Sequence, residues 1–117
     1  MSLRFSKTQR LCKPYEIRRV LTTGRKVNVS GFVIRWRVRE SLVSPSRICV
    51  TVRKKEVRKA VHRNRIRRLV KEFFRLHSQE FVQPVDMVIQ AHNYKLLSYK
   101  ELEHNFIISL KNAGILS

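Results

Sequence analysis

The segment Phe32–Arg39 alternates without a break: Phe32, Ile34, Trp36 and Val38 fall on one side, Val33, Arg35, Arg37 and Arg39 on the other. A period of two predicts a strand with one buried face and one basic face. The pattern recurs from Arg47 to Arg53, where Ile48, Val50 and Val52 oppose Cys49, Thr51 and Arg53. Val27-Asn28-Val29 predicts a short preceding strand, and Val85–Ala91, introduced by Pro84, a further one. Ser44-Pro45-Ser46 reads as a turn. Helical spacing takes over elsewhere. Ile66, Leu69, Val70 and Phe73 predict a long helix that starts within Arg58–Val61 and ends near His77. Pro14 suits a first helical turn and Gly24 a stop, so Pro14–Thr23 predicts a short helix, with Ile17, Val20 and Leu21 on its inner side. Ser98 and Glu101 form a capping box opening a last helix, with Leu102, Phe106 and Leu110 facing inward and Gly114 at its end.

The order is helix, strands, helix, strand, helix. That is an α+β sandwich, a small mixed sheet with helices covering one face. A chain of 117 residues, 43% apolar, is expected to be a single domain spanning 1–117, with basic, aperiodic Met1–Lys13 as a flexible arm. If helices cover the Phe32/Trp36 face, the Val33/Arg35/Arg37 face stays partly open, and such a face can seat single-stranded nucleic acid.

Charge sharpens this picture. Lys and Arg total 26 and Asp and Glu 8, a formal net charge of +18. Such a chain repels itself unless a polyanion compensates. Arginine outnumbers lysine, and its planar fork pairs with phosphate and stacks on bases, which favours nucleic acid over an anionic membrane. Eleven of these cations crowd Arg53–Arg75, opposed only by Glu56 and Glu72. On the long helix Asn64, Arg68, Lys71 and Arg75 recur at i, i+4, i+7 and i+11, opposite the apolar stripe. Like charges at that spacing destabilise a helix. Phosphates would supply the missing compensation; a merely solvated face would mix signs. Asn64, able to donate and accept, could read a base edge or a sugar hydroxyl, or could cap its own helix.

Independent catalysis finds little support in the residues. The four histidines show no paired-ligand spacing, and His62 and His77 fall at the edges of the inner stripe. Asp86 is the only aspartate, and the three glycines form no phosphate loop. Cys49 reads as a packing thiol and Trp36 as core. Cys12 and Cys49 form no CxxC pair, which fits a reducing compartment. Neither a signal peptide nor a membrane-length apolar run is present, so no membrane partner and a cytoplasmic location are expected.

The segment from Lys54-Lys55 through Lys59-Ala60-Val61-His62-Arg63-Asn64-Arg65-Ile66-Arg67-Arg68-Leu69 resembles the signature of the protein subunit of bacterial ribonuclease P. The run Arg-Asn-Arg-x-(Lys/Arg)-Arg stands two residues after Ala-Val, with a Lys-Lys pair upstream at a strand end. The order and spacing of the other elements extend the likeness from Leu11 to about Leu110. The resemblance implies an αβββαβα fold with a left-handed βαβ crossover. It implies that the catalyst is an RNA subunit, which uses Mg2+ held mainly by the RNA, none by the protein alone, to cut the 5′ leader from precursor tRNA.

Carried over by this resemblance, the catalytic-RNA contacts are Lys54, Lys55, Arg58, Lys59, Arg63, Asn64, Arg65, Arg67, Arg68 and Lys71. The cleft for the single-stranded leader is lined by Ile17, Leu21, Val33, Arg35, Arg37, Thr51 and Arg53. The chain departs from the family's habit of aromatics at the positions of Ile17, Leu21 and Arg35, which implies weaker stacking on leader bases and stronger phosphate attraction. A glycine common in the family just before Ala-Val is absent; Arg58-Lys59 stand there. Composition alone also allows a non-catalytic ribosomal or other structural RNA-binding protein; the Arg-Asn-Arg run separates the two.

Overall fold

The structure, a computed structural model, describes residues 10–29, 31–40, 45–92 and 98–117. Residues 1–9 of the expected arm and Ser44 of the expected turn lie outside the described residues. Helix α1 (Pro14–Thr23) leads into strands β1 (Arg25–Val29), β2 (Phe32–Val38) and β3 (Arg47–Val52). Helix α2 (Ala60–His77) and a 3-10 turn (Ser78–Glu80) precede β4 (Val85–Ala91), and α3 (Tyr99–Asn112) closes the order. The expected αβββαβα sequence of elements is therefore the observed one. The strands lie in the order β1-β2-β4-β3. β2 pairs antiparallel with β1 and with β4, while β3 runs parallel to β4, and α2 makes the crossover between them.

The alternation in the strands sets two faces. On one, Ile34 and Trp36 of β2, Met87 and Ile89 of β4, and Ile48 and Val52 of β3 meet Ile66, Val70, Phe73 and Phe74 of α2 and Leu102, Phe106 and Leu110 of α3. Phe106 stacks edge-on to both Phe32 and Phe73, with ring centroids 5.2 and 5.3 Å apart. Such pairs add to the apolar area they bury.

The expectation that helices cover one face holds for α2 and α3 but not for α1, which lies across the other. Its Val20 packs on Val88 together with Leu11, with Ile17 and Cys49 alongside. The physical reason is in β4. Met87, Val88 and Ile89 are three consecutive apolar residues, so this inner strand has a side chain to bury on each face. Leu11 anchors the preceding segment: its N–H donates to the Ile48 carbonyl at 2.9 Å, and its side chain is 2% exposed. Of the inner side expected for α1, Leu21 is the exception, 38% exposed at the helix margin. Where α1 ends against β2 a side chain has no room. A Cβ on Gly24 would stand 2.4 Å from the Val20 carbonyl oxygen and 2.7 Å from that of Trp36.

Ser98 caps α3 as the sequence pattern predicts, accepting from the Glu101 N–H at 3.3 Å. None of the helices is long and apolar enough to cross a membrane, among the described residues.

Candidate nucleic-acid interface

α2 is the crossover helix of the parallel pair, and one stripe of it is committed to the core. With 3.6 residues per turn, burial of Ile66, Val70, Phe73 and Phe74 turns Asn64, Arg68, Lys71 and Arg75 away from the sheet. Asn64, Arg65 and Arg68 are exposed, and Arg67 and Lys71 half-buried. Two flanks separate. Asn64, Arg67 and Lys71 occupy one, where Arg67 donates to Asn64 and the Lys71 charge acts on the Cys49 thiol. Burial raises the Cys49 pKa and Cys12 adds to this, against the opposing pull of Lys71. A thiol held protonated by burial fits the packing role expected of it. Arg65 and Arg68 occupy the other flank, toward the start of α3.

The turn before α2 is held by the motif itself. Arg63 donates through Nη1 to the carbonyls of Val57 and Arg58, at 2.9 and 2.8 Å. Val57 is buried, which pins the turn from inside. Lys54, Lys55, Arg58 and Lys59 are thereby held out, all exposed, at one end of the helix. The helix start has no side-chain cap; Lys59 stands at that position. Asn64 does not cap its helix. Its Oδ1 accepts a long bond, 3.4 Å, from Arg67.

The second basic surface is the sheet face beneath α1. Pairing brings Val33, Gln90 and Thr51 into one row across β2, β4 and β3, then Arg35, Val88 and Cys49, then Arg37, Asp86 and Arg47. Val33, Arg35, Arg37 and Thr51 are all half-buried on this face, with Ile17 packed against the cluster beside it. Leu21 stands at the helix margin, and Arg53 is exposed just beyond the end of β3. Arg35 donates through Nη1 to Oε1 of Gln90 on β4.

Acidic groups secure the far end of that face. Arg47 donates through Nε and Nη2 to the two carboxylate oxygens of Asp86, each at 2.8 Å, and through Nη2 to Glu16 of α1 at 2.6 Å. Hydrogen bonding to Asp86 above all, with Glu16 adding to it, outweighs burial and raises the Arg47 pKa further. Two of the chain's eight carboxylates are thus spent on docking α1, and the α2 cations are left without them. Among the described residues, no group of three or more His, Cys, Asp and Glu side chains could hold a metal ion.

Gln90, Glu16 and Asp86 have no sequence signal of their own. Their roles come from the register and from the placement of α1, which periodicity does not give.

A small mixed sheet with a cation-rich crossover helix on one side and a half-buried basic face on the other defines a compact α+β protein with two positive surfaces. The chain belongs to the ribonuclease P protein family, whose model, described as Ribonuclease P, matches residues 5–114. The ribonuclease P protein component of Clostridium novyi is 34% identical over 110 residues, covering 93% of this chain and 96% of the relative. That of Thioalkalivibrio sulfidiphilus is 38% identical over 87 residues, covering 74% and 70%. The fold is shared with the RNase P protein of Staphylococcus aureus, with a TM-score of 0.80 at 24% identity over 93% of this chain and 98% of that one. It is shared also with that of Thermotoga maritima, at 0.72 and 20% identity over 85% and 92%. The alternative of a non-catalytic ribosomal or other structural RNA-binding protein gives way to this membership: the chain is the protein component of a ribonuclease.

Proposed function

We propose that the chain binds the catalytic RNA of ribonuclease P through α2 and the turn before it, and the 5′ leader of precursor tRNA on the sheet face beneath α1. The observation that carries this reading is the one-sided exposure of Lys54, Lys55, Arg58, Lys59, Arg65 and Arg68 in a member of this family. Like charges assembled so closely are a standing cost in the free protein, and a phosphate backbone removes it.

In this reading the RNA cuts the phosphodiester bond, with Mg2+ that it holds itself, and the polypeptide contributes binding. Val33, Thr51 and the Ile17 side chain offer an apolar strip for leader bases, and Arg35, Arg37 and Arg53 offer charge for its phosphates. Arg35 is tethered to β4 by its bond to Gln90, and its planar guanidinium serves as a stacking surface at a position where the resemblance implies an aromatic ring. The cationic helix also lowers phosphate repulsion near the cleavage site, which favours retention of the magnesium ions in the complex. The site of action is the cytoplasm.

Reconstitution tests the reading. The full chain, freed of RNA, is added to ribonuclease P RNA at low magnesium with a leader-bearing tRNA. Faster release of the leader than with RNA alone is expected. An unchanged rate, or cleavage by the polypeptide without RNA, overturns it.

A further inference from the structure

The flank of α2 that faces α3 is not uniformly cationic. Between the two helices lies a groove of about 490 Å3 lined by Val61, Arg65, Arg68, Leu69, Glu72 and Tyr99. Val61 is 64% exposed in the first turn of the basic helix, although apolar. Leu69 and Tyr99 form the floor, each half-buried against the main core. Tyr99 is the first residue of α3, which Ser98 caps. Its hydroxyl donates to Glu103 at 3.0 Å, which fixes the ring. Glu72 is bound to Arg75, Nε to Oε2 at 3.0 Å, so the one carboxylate at the rim is neutralised by a neighbour on the same helix.

A purely electrostatic phosphate surface has no use for an open apolar floor. A nucleotide has both parts: a planar base suits a floor of Leu69, Tyr99 and Val61, and a phosphate suits Arg65 and Arg68 at the rim. The volume lies within the roughly 300–1,000 Å3 typical of small-ligand sites. Base stacking on an aromatic ring tolerates any base because each has a π-face.

We infer that the groove between α2 and α3 is a base-binding subsite, in which one unstacked nucleotide of the RNA bound by α2 seats its base against Tyr99, Leu69 and Val61 while Arg65 and Arg68 hold its phosphate. The inference rests on the RNA-binding reading for its occupant, but not for its test.

The test is an NMR titration of the full chain with each of the four nucleoside 5′-monophosphates, and separately with inorganic phosphate. At least one nucleotide is expected to shift the Val61 and Leu69 methyl and Tyr99 ring resonances by several times the effect of phosphate at equal concentration. The variant Val61→Asp, at an exposed position in a first helical turn where an acidic residue is tolerated, should keep the fold and lose those shifts. Equal effects of nucleotide and phosphate, or shifts at Leu69 and Tyr99 that persist in Val61→Asp, overturn the inference. A groove that takes nucleotides in a chain that fails to bind ribonuclease P RNA would instead overturn the proposed function and leave the subsite standing.

Discussion

Arg47 on β3 and Glu16 on α1 meet at 2.6 Å, and through this ion pair the first helix is held at its angle over the sheet. Both side chains are largely shielded, as is Asp86, which the same guanidinium binds. Each carboxylate is bound through two nitrogens of Arg47, Asp86 by Nε and Nη2 and Glu16 by Nη1 and Nη2, and Asp86 also has Arg39 Nε at 3.6 Å. Replacing Arg47 by methionine strips Glu16 of this partner and leaves Asp86 with the longer Arg39 contact at 3.6 Å, both carboxylates being partly desolvated. A loss of about 2–3 kcal/mol is expected in urea denaturation. Glu16→Gln keeps the Arg47–Asp86 pair and should cost no more than about 1 kcal/mol. Equal losses in the two variants would show that the helix is not tethered in this way.

Arg63 differs from the other arginines of its motif. Its two carbonyl acceptors close the turn that presents Lys54, Lys55, Arg58 and Lys59. Arg63→Ala is expected to lower stability by about 1 kcal/mol, since both carbonyls lose a charged donor. Arg65→Ala and Arg68→Ala, at exposed positions, should stay within about 0.5 kcal/mol of wild type. Each should instead reduce the magnitude of the salt slope for catalytic-RNA binding by about 1. Thermal melts together with salt titrations separate the two roles, and a stable Arg63→Ala with a reduced slope would move Arg63 among the phosphate contacts.

Why some of this was readable in the chain and some was not follows from the kind of signal each part leaves. β2 and β3 alternate because each has one face in the main core, so Phe32, Ile34 and Trp36 announce their side directly. α2 announces Ile66, Val70 and Phe73 for the same reason; Phe74, equally buried, continues that spacing and meets Phe81 beyond the helix end, with ring centroids 5.8 Å apart. The cationic surface is readable since exposed charge needs no partner to identify it. The place of α1 was not readable from periodicity; only the family resemblance, which lines one cleft with Ile17, Leu21, Val33 and Arg35, puts it at the basic face. Val20 is as apolar as any inward residue, and nothing local says which face of the sheet it covers. That information sits in Val88, eighty-eight residues into the chain, and in the β2-β4-β3 register. The groove beside Tyr99 is hidden for the same reason, being built by two helices distant in sequence.

His77 ends α2 between Glu80 and Glu103, with Nε2 2.8 Å from Glu103, and its ring stacks on Phe73 at 4.6 Å. Burial alone would lower its pKa, but hydrogen bonds with Glu103 and Glu80 outweigh burial and raise it. A histidine whose folded pKa exceeds its unfolded value, about 6.5, stabilises the fold fully below that pH. The contribution is lost as pH rises through the raised value. The melting temperature of the wild-type chain is therefore expected to fall, relative to His77→Gln, as pH rises from about 6 toward 8. Parallel pH profiles for the two proteins would exclude a charged His77 joining α2 to α3.

Salt dependence examines the whole cationic surface at once. Neutralising about six phosphates predicts a log–log slope of magnitude about 4 to 5 for binding to the catalytic RNA. A slope near zero would remove the electrostatic account altogether.

The sheet face beneath α1 makes a narrower demand, because only one substrate carries a leader. Val33, Arg35 and Thr51 share that face and lie on the side of the sheet opposite the core that α2 and α3 cover. Arg35→Ala removes a guanidinium bonded to Gln90 without disturbing the main core. Precursor tRNA with a leader of several nucleotides should bind the reconstituted complex about fivefold more weakly, the equivalent of about 1 kcal/mol. Mature tRNA should bind unchanged, and so should the catalytic RNA, whose proposed contacts lie on α2. Gln90→Ala should reproduce part of the loss, since it frees Arg35 from the sheet while leaving its charge. If precursor and mature tRNA weaken equally, Arg35 acts on the tRNA body or on the fold, and the leader runs over another surface.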